Sequence, residues 1–387
     1  MSSIVSEQPA ASMRVAPAGP NQPSFLEKRV ASIDALRGFD MFWITGGEAI
    51  IQALNKVYPG SATDLLDVEF HHVPWAGFHF YDLIFPLFLF VVGVVLPFSL
   101  TKRLEAGADR GHLYRHLVKR LVVLFALGLV YNGLLDFNFH DLRIAGVLQR
   151  IAICYFFAAL VVMNTNIRGQ VAVFAGILVV YWLAMMLVPV PGAGAGVLTP
   201  QGNLASFIDR HLLPRPYCCF AQGDNEGILS TFPAIATTLM GVLAGHWLRS
   251  KRPPNRKALG LVAAGVASLL VGYLWSFNFP IIKVLWTSTF VLFAGGWSLL
   301  LLALFYWVID VKGIRRWSFF FTVIGVNAIT IYLVHQLFDF GTVTNIFVHG
   351  FIHHMGAIEP LFWAVSVEAT VWLFLYFLYR KKIFLKV

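Results

Sequence analysis

Charge is scarce in this chain. Only 13% of its 387 residues are Asp, Glu, Lys or Arg, about half the roughly 25% of an ordinary soluble domain, which argues against an enzyme folded in water. Cysteine is scarcer still. Cys154, Cys218 and Cys219 are the three, with neither a CxxC pair nor zinc-ligand spacing, so a disulfide framework and a structural zinc site are excluded and no cysteine chemistry is expected. No glycine-rich phosphate loop of the Walker or dinucleotide type occurs. No unit of roughly 20–50 residues repeats, which argues against solenoids and arrays. Residues 1–28 lack the charged start and apolar core of a cleaved signal and are rich in Ser, Ala and Pro, the composition of a disordered cytoplasmic tail.

What is abundant is apolar sequence, 58% of the chain. A membrane-crossing helix needs roughly 20 mostly apolar residues, and about ten runs meet that length, near 33–54, 80–101, 117–135, 144–164, 170–189, 228–249, 258–276, 283–308, 317–338 and 358–380. Runs such as FPLFLFVVGVVLPF, residues 85–98, do not alternate in polarity as barrel strands do. The expected fold is all-α, a polytopic membrane bundle of about ten helices, with residues 29–387 forming a single transmembrane domain. The net charge of +9 is then read as loop bias rather than as a nucleic-acid surface. Basic residues crowd after the second run (Lys102, Arg103, Arg110, Arg115, Lys119, Arg120), the sixth (Arg249, Lys251, Arg252, Arg256, Lys257), the eighth (Lys312, Arg315, Arg316) and the tenth (Arg380, Lys381, Lys382). Even-numbered helices therefore end inside, and both termini are cytoplasmic. The opposite loops hold few basic residues: Lys56, Arg143, Arg210, Arg215 and Lys283.

Ionisable groups within a span cost about 2.5–3.5 kcal/mol each on insertion scales, so they face a cavity or a partner. In the first run Asp34, Arg37 and Asp40 recur at spacing three, along one helix face, and Glu48 follows near its outer end. Arg150 lies about 9 Å along the fourth helix from Ile144, too deep for easy snorkelling, and is expected to meet an anionic ligand or a carboxylate, Asp40, Asp82 or Glu48. Asp82, Asn327, His335 and Glu368 complete a polar set that reads as a cavity opening outward. The outward loop at 55–79 carries Asp64, Asp67, Glu69, His71, His72, Trp75 and His79, and that at 190–227 ends with Asp224 and Glu226. His112 and His116 lie in a basic cytoplasmic segment and read as a solvated face, and His349, His353 and His354 have no carboxylate or cysteine partner close in sequence, so no metal is expected.

Five segments taken in order carry a resemblance: RVASIDALRGFDMFWITGGEAI (29–50), FHHVPWAGFHFYDLIFPLFLFVVGVVLPFSL (70–100), RIAGVLQRIAICYF (143–156), DNEGILSTFPAIATTLMGVLAG (224–245) and FPIIKVLWTSTFVLFAGGW (279–297). They resemble the heparan-α-glucosaminide N-acetyltransferase family, in particular its shorter bacterial members. The resemblance implies acetyl transfer from cytosolic acetyl-CoA to the amine of a glucosamine across the bilayer, by a multi-pass inner-membrane protein that forms a homodimer. The family's active-site histidine precedes a Trp-x-Gly by three residues, which selects His72 ahead of Trp75 and Gly77. The family's deep arginine in R-I-x-G-V-L-Q-R corresponds to Arg150.

The chemistry is compatible with these assignments. An amine attacks a thioester only when deprotonated, and an imidazole is the side chain suited to take that proton near neutrality; His72 could equally carry the acetyl group itself. A cationic amino sugar suits Glu48, Asp82, Asp224 and Glu226, with Trp75 available to stack on the ring. Arg37 and Asp40 at the inner end of the first helix, with Gln149 and Arg150 in the fourth, are the candidates for holding the coenzyme. From Arg37 to Glu48 is about 16 Å of helix, a span that a pantetheine arm covers. Two other readings share these features: an acyltransferase that modifies a hydroxyl of an envelope glycan, and a secondary transporter of sugars or amino sugars.

Overall fold

The computed structural model describes residues 30–220 and 222–385; the expected tail at 1–28 lies outside them. Apart from a hairpin of two-residue strands, β1 (Cys219–Phe220) and β2 (Gly223–Asp224), every regular element described is helical. Among the described residues seven helices are long and apolar enough to cross a membrane, and eight if one bent pair counts as a single span. They are Phe80–Glu105, Val147–Asn164 (α7), Ile167–Leu187 (α8), Ile228–Arg249 (α10), Pro254–Ser276 (α11), Ser288–Val311 and Gly356–Arg380. The bent pair, α13 (Ser318–Gly325) and α14 (Ala328–Leu337), turns by 69° around Asn327.

Two of the ten apolar runs are helical but fall short of that test. The first is broken: α1 (Ala31–Phe42) passes through a wide turn (Trp43–Gly47) into α2 (Glu48–Val57), and Gly46 at the break is non-helical. Asp34 and Asp40 are buried in α1, and Thr45 in the wide turn donates through Oγ1 to Glu368 Oε1 at 3.2 Å. The third run belongs to α6 (Arg110–Tyr131), whose first half is basic.

Small residues let the central helices touch. A methyl group on Gly93, in α4 (Ile84–Leu96), would collide with the Thr238 carbonyl of α10, and one on Gly241 would collide with the Phe90 carbonyl in return. Gly38 of α1 meets the Phe321 carbonyl and Gly325 meets that of Asp34 in the same reciprocal way. Backbone against backbone leaves nothing to shift, so these glycines set the helix spacing.

The two ends of the bundle differ in what ties them together. At one, Arg249 Nη2 pairs with Glu105 Oε2 at 2.6 Å and Ser32 N donates to Asp310 at 3.3 Å. At the other, Gly77 N donates to the Ile281 carbonyl at 2.9 Å, Ala76 bridges Ile282, and Arg143 pairs with Asp224 and Glu226. Loops distant in sequence are therefore fastened at the end that carries His72.

Candidate active site

The segment from His71 to His79 has no regular structure of its own and takes its shape from the turn into the next helix. Phe80–Leu83 is a 3-10 turn in which His79 and Asp82 cap each other. Asp82 Oδ2 accepts from His79 N at 3.1 Å and Val73 N at 3.4 Å, while Oδ1 faces His72 Nδ1 at 2.8 Å. The aspartate is fully buried and the His72 side chain half-exposed. A carboxylate only accepts, so Nδ1 carries the ring proton and Nε2 keeps the lone pair.

The zip between Gly77 and Ile281 then delivers a third group. Lys283 Nζ stands 3.0 Å from Nδ1 and 3.2 Å from Nε2 of His72, and 3.4 Å from Asp82 Oδ1. Burial pushes the Lys283 ammonium below the ordinary lysine range, and the Asp82 carboxylate only partly opposes that. The His72 ring also lies against Tyr81, centroids 4.8 Å apart, and the Tyr81 hydroxyl faces the Glu48 carboxylate. His71 has a different setting: its Nδ1 donates to the Asp67 carbonyl at 2.7 Å.

The other candidates separate by place. Asp224 and Glu226 are held by Arg143 in one ion cluster. Burial works against ionisation of Asp224, but the Arg143 guanidinium holds it below the usual carboxylate range. Trp75 donates through Nε1 to the Leu198 carbonyl at 2.9 Å and meets the Phe220 ring edge-on. Among the described residues Arg150 makes no ion pair with a carboxylate, one of the two kinds of partner expected of it. Its guanidinium reaches the Thr231 hydroxyl at 3.2 Å, the Ser230 hydroxyl and the Gly227 carbonyl, and lies 4.9 Å from the Trp286 ring centroid. The opening turn of α10 offers three oxygens to this cation, whereas Asp82 and Glu48 are engaged elsewhere. Gln149 is wedged between Gly128 and Gly146, where any side chain would collide with it. Asp40 is fully buried, and neither of its oxygens has a hydrogen-bond partner among the described residues. Against the expectation that cysteine chemistry plays no part, Cys218 is disulfide-bonded.

At the opposite end of the bundle is a cavity of about 750 Å³. Arg37, Arg120, Arg380 and Lys382 line it together with Asn327, and Phe88, Val92 and Ile151 supply apolar wall. Arg120 stacks its guanidinium 4.0 Å over the Tyr155 ring. The buried Arg120 Nε and both side-chain polar atoms of Asn327 lack a hydrogen-bond partner among the described residues. Such atoms suit a polar ligand, and the four cations suit a polyanionic one. Phe88 lies six residues beyond Asp82 in the same span, roughly 9 Å of helical rise. Of the four coenzyme candidates only Arg37 is among the lining residues; Asp40, Gln149 and Arg150 are not.

Sequence reasoning passes over Lys283 and Arg143, yet both carry a signal. Each is a basic residue in a loop otherwise poor in them, and each pairs with a carboxylate distant in sequence.

Residues 29–277 match the family described as heparan-alpha-glucosaminide N-acetyltransferase, catalytic. The chain is 27% identical over 426 residues to the human protein heparan-alpha-glucosaminide N-acetyltransferase, an alignment covering 94% of this chain and 61% of that one. The mouse protein of the same name is 27% identical over 418 residues, with 93% and 62% covered. The chain thus spans about three fifths of the length of these curated relatives.

Proposed function

Since the chain belongs to the heparan-alpha-glucosaminide N-acetyltransferase family, we propose that it is a transmembrane N-acetyltransferase that carries acetyl from cytoplasmic acetyl-CoA to the amine of glucosamine or a terminal glucosaminide on the outer side. The observation that carries this reading is the placement of a His–Asp pair and a cation-lined cavity at opposite ends of one bundle. Counting the broken helix α1–α2 and the basic helix α6 as passes brings the spans to ten. Both termini then lie in the cytoplasm, residues 29–387 act as one domain of an inner-membrane protein, and the resemblance implies a homodimer.

In this reading Arg37, Arg120, Arg380 and Lys382 hold the coenzyme phosphates, and Asn327 meets the amides of the pantetheine arm. The thioester supplies an activated acetyl carbonyl. His72 Nε2 takes a proton from the incoming ammonium, and the freed amine nitrogen adds to that carbonyl as its π pair moves onto oxygen. Collapse of the tetrahedral intermediate breaks the carbon–sulfur bond, and His72 returns its proton to the departing thiolate. The remaining ammonium-derived proton leaves to solvent, so one ammonium and one thioester give one amide, one thiol and one proton. Asp82 keeps Nδ1 protonated throughout.

The detergent-purified protein is expected to convert labelled acetyl-CoA and glucosamine into N-acetylglucosamine, and to leave glucose, which offers only hydroxyls, unmodified. Arg120→Ala should raise the KM for acetyl-CoA about tenfold, the equivalent of one charged contact of about 1.4 kcal/mol, without changing that for glucosamine. Acetylation of glucose at a comparable rate would favour the hydroxyl-modifying alternative, and glucosamine uptake into vesicles without CoA would favour a carrier.

A further inference from the structure

Lys283 Nζ stands within 3.2 Å of both ring nitrogens of His72, and the fold secures it there. Ile282 N donates to Thr287 Oγ1 at 3.1 Å, and Thr287 caps the next helix. Together with the bridge from Ile282 to Ala76, this fixes Lys283 against the histidine loop. The side chain is 17% exposed, beside a His72 side chain that is half-exposed.

We propose that Lys283 carries the positive charge that stabilises the tetrahedral oxyanion formed beside His72. An amine that gives its proton to Nε2 brings the carbon it attacks to within a few ångströms of that atom, and Nζ is 3.2 Å from it. As the carbonyl π pair moves onto oxygen, an ammonium N–H donates to it. When the C–S bond breaks and the carbonyl re-forms, the charge is released and the lysine keeps its proton. In the resting state the ammonium stands nearly equidistant from the two ring nitrogens, at 3.0 and 3.2 Å, and is balanced by Asp82 3.4 Å away. The reading rests on His72 being the base. It adds a group whose contribution appears only in the transition state.

The test is a pair of variants measured by kcat and KM across pH. The groups facing this lysine are His72 and Asp82, with Glu226 at longer range; Tyr81 and behind it Glu48 flank the histidine. Because burial lowers the ammonium's hold on its proton, the required cation is lost as pH rises through a value below the ordinary lysine range. Wild-type kcat should therefore fall on the alkaline side below that range. Lys283→Met should lower kcat about 10²–10³-fold with the KM for acetyl-CoA unchanged. Lys283→Arg, cationic at every accessible pH, should restore part of the rate and move the alkaline limb up by about one pH unit or more. A folded Met variant with wild-type kcat overturns the proposal, as does an Arg variant whose alkaline limb stays in place. If the Met variant does not fold, the Arg variant alone decides. His72→Ala run alongside separates the two ideas: turnover without His72 overturns the underlying reading, whereas loss there with full turnover in Lys283→Met overturns only the role of the lysine.

Discussion

His72→Ala is expected to lose acetyl transfer, by at least about 10³-fold in kcat, while the protein keeps its fold and its affinity for acetyl-CoA. The size of the effect follows from two losses together: the base that frees the amine and the acid that protonates the thiolate, each worth about 10²–10⁴. Structural integrity is expected because the His72 side chain is half-exposed and belongs to no packed core. Acetyl-CoA affinity is expected to persist because the cavity lined by Arg37, Arg120, Arg380 and Lys382 is at the far end of the bundle. A melting curve with and without CoA, run beside the transfer assay, checks all three. His71→Ala is the control, since that imidazole is tied to the Asp67 carbonyl and should change turnover by less than about threefold.

Asp82→Asn should cost nearly as much, about 10³–10⁴-fold in kcat, although the side chain keeps its size and shape. The backbone N–H groups of Val73 and His79 both point at Oδ2. An asparagine must therefore turn its oxygen toward them and its NH₂ toward His72. Nδ1 then becomes the acceptor and the ring proton moves to Nε2, which leaves the histidine with no lone pair on the side facing substrate. Lys283 also loses the carboxylate 3.4 Å away that balances it. The expected signature is a collapse of kcat with the acetyl-CoA KM retained. A rate within tenfold of wild type would show that the tautomer is not set by Asp82.

Much of this architecture is legible in the sequence. The apolar runs name the spans, because length and hydropathy are local properties, and seven of them stand as membrane-length helices. His72 is singled out only by the family resemblance, which places a histidine three residues before Trp75 and Gly77, whereas its partner reads from sequence as a ligand of the acceptor. Asp82 lies ten residues on, at the start of a helix, where a capping carboxylate and a sugar ligand look alike until the turn at Phe80–Leu83 is seen. The bend at Asn327 and the break at Gly46 are not legible, since an apolar stretch reads the same whether or not its backbone continues straight. Arg150 is legible as deep, but its oxygens come from α10, 77–81 residues away, beyond the reach of any periodicity argument. The cavity escapes notice for the same reason: Arg37, Arg120 and Arg380 come from the first, third and last helical runs, and each alone passes for an ordinary inside-facing charge.

The most direct test of the central claim places donor and acceptor on opposite sides of a membrane. Proteoliposomes with the cytoplasmic face outward, loaded with glucosamine and given labelled acetyl-CoA outside, should accumulate labelled N-acetylglucosamine in the lumen while the coenzyme remains outside. Transfer across the bilayer through His72 predicts that product in wild type and none in His72→Ala. Product that forms only when acetyl-CoA and glucosamine share a compartment would contradict it.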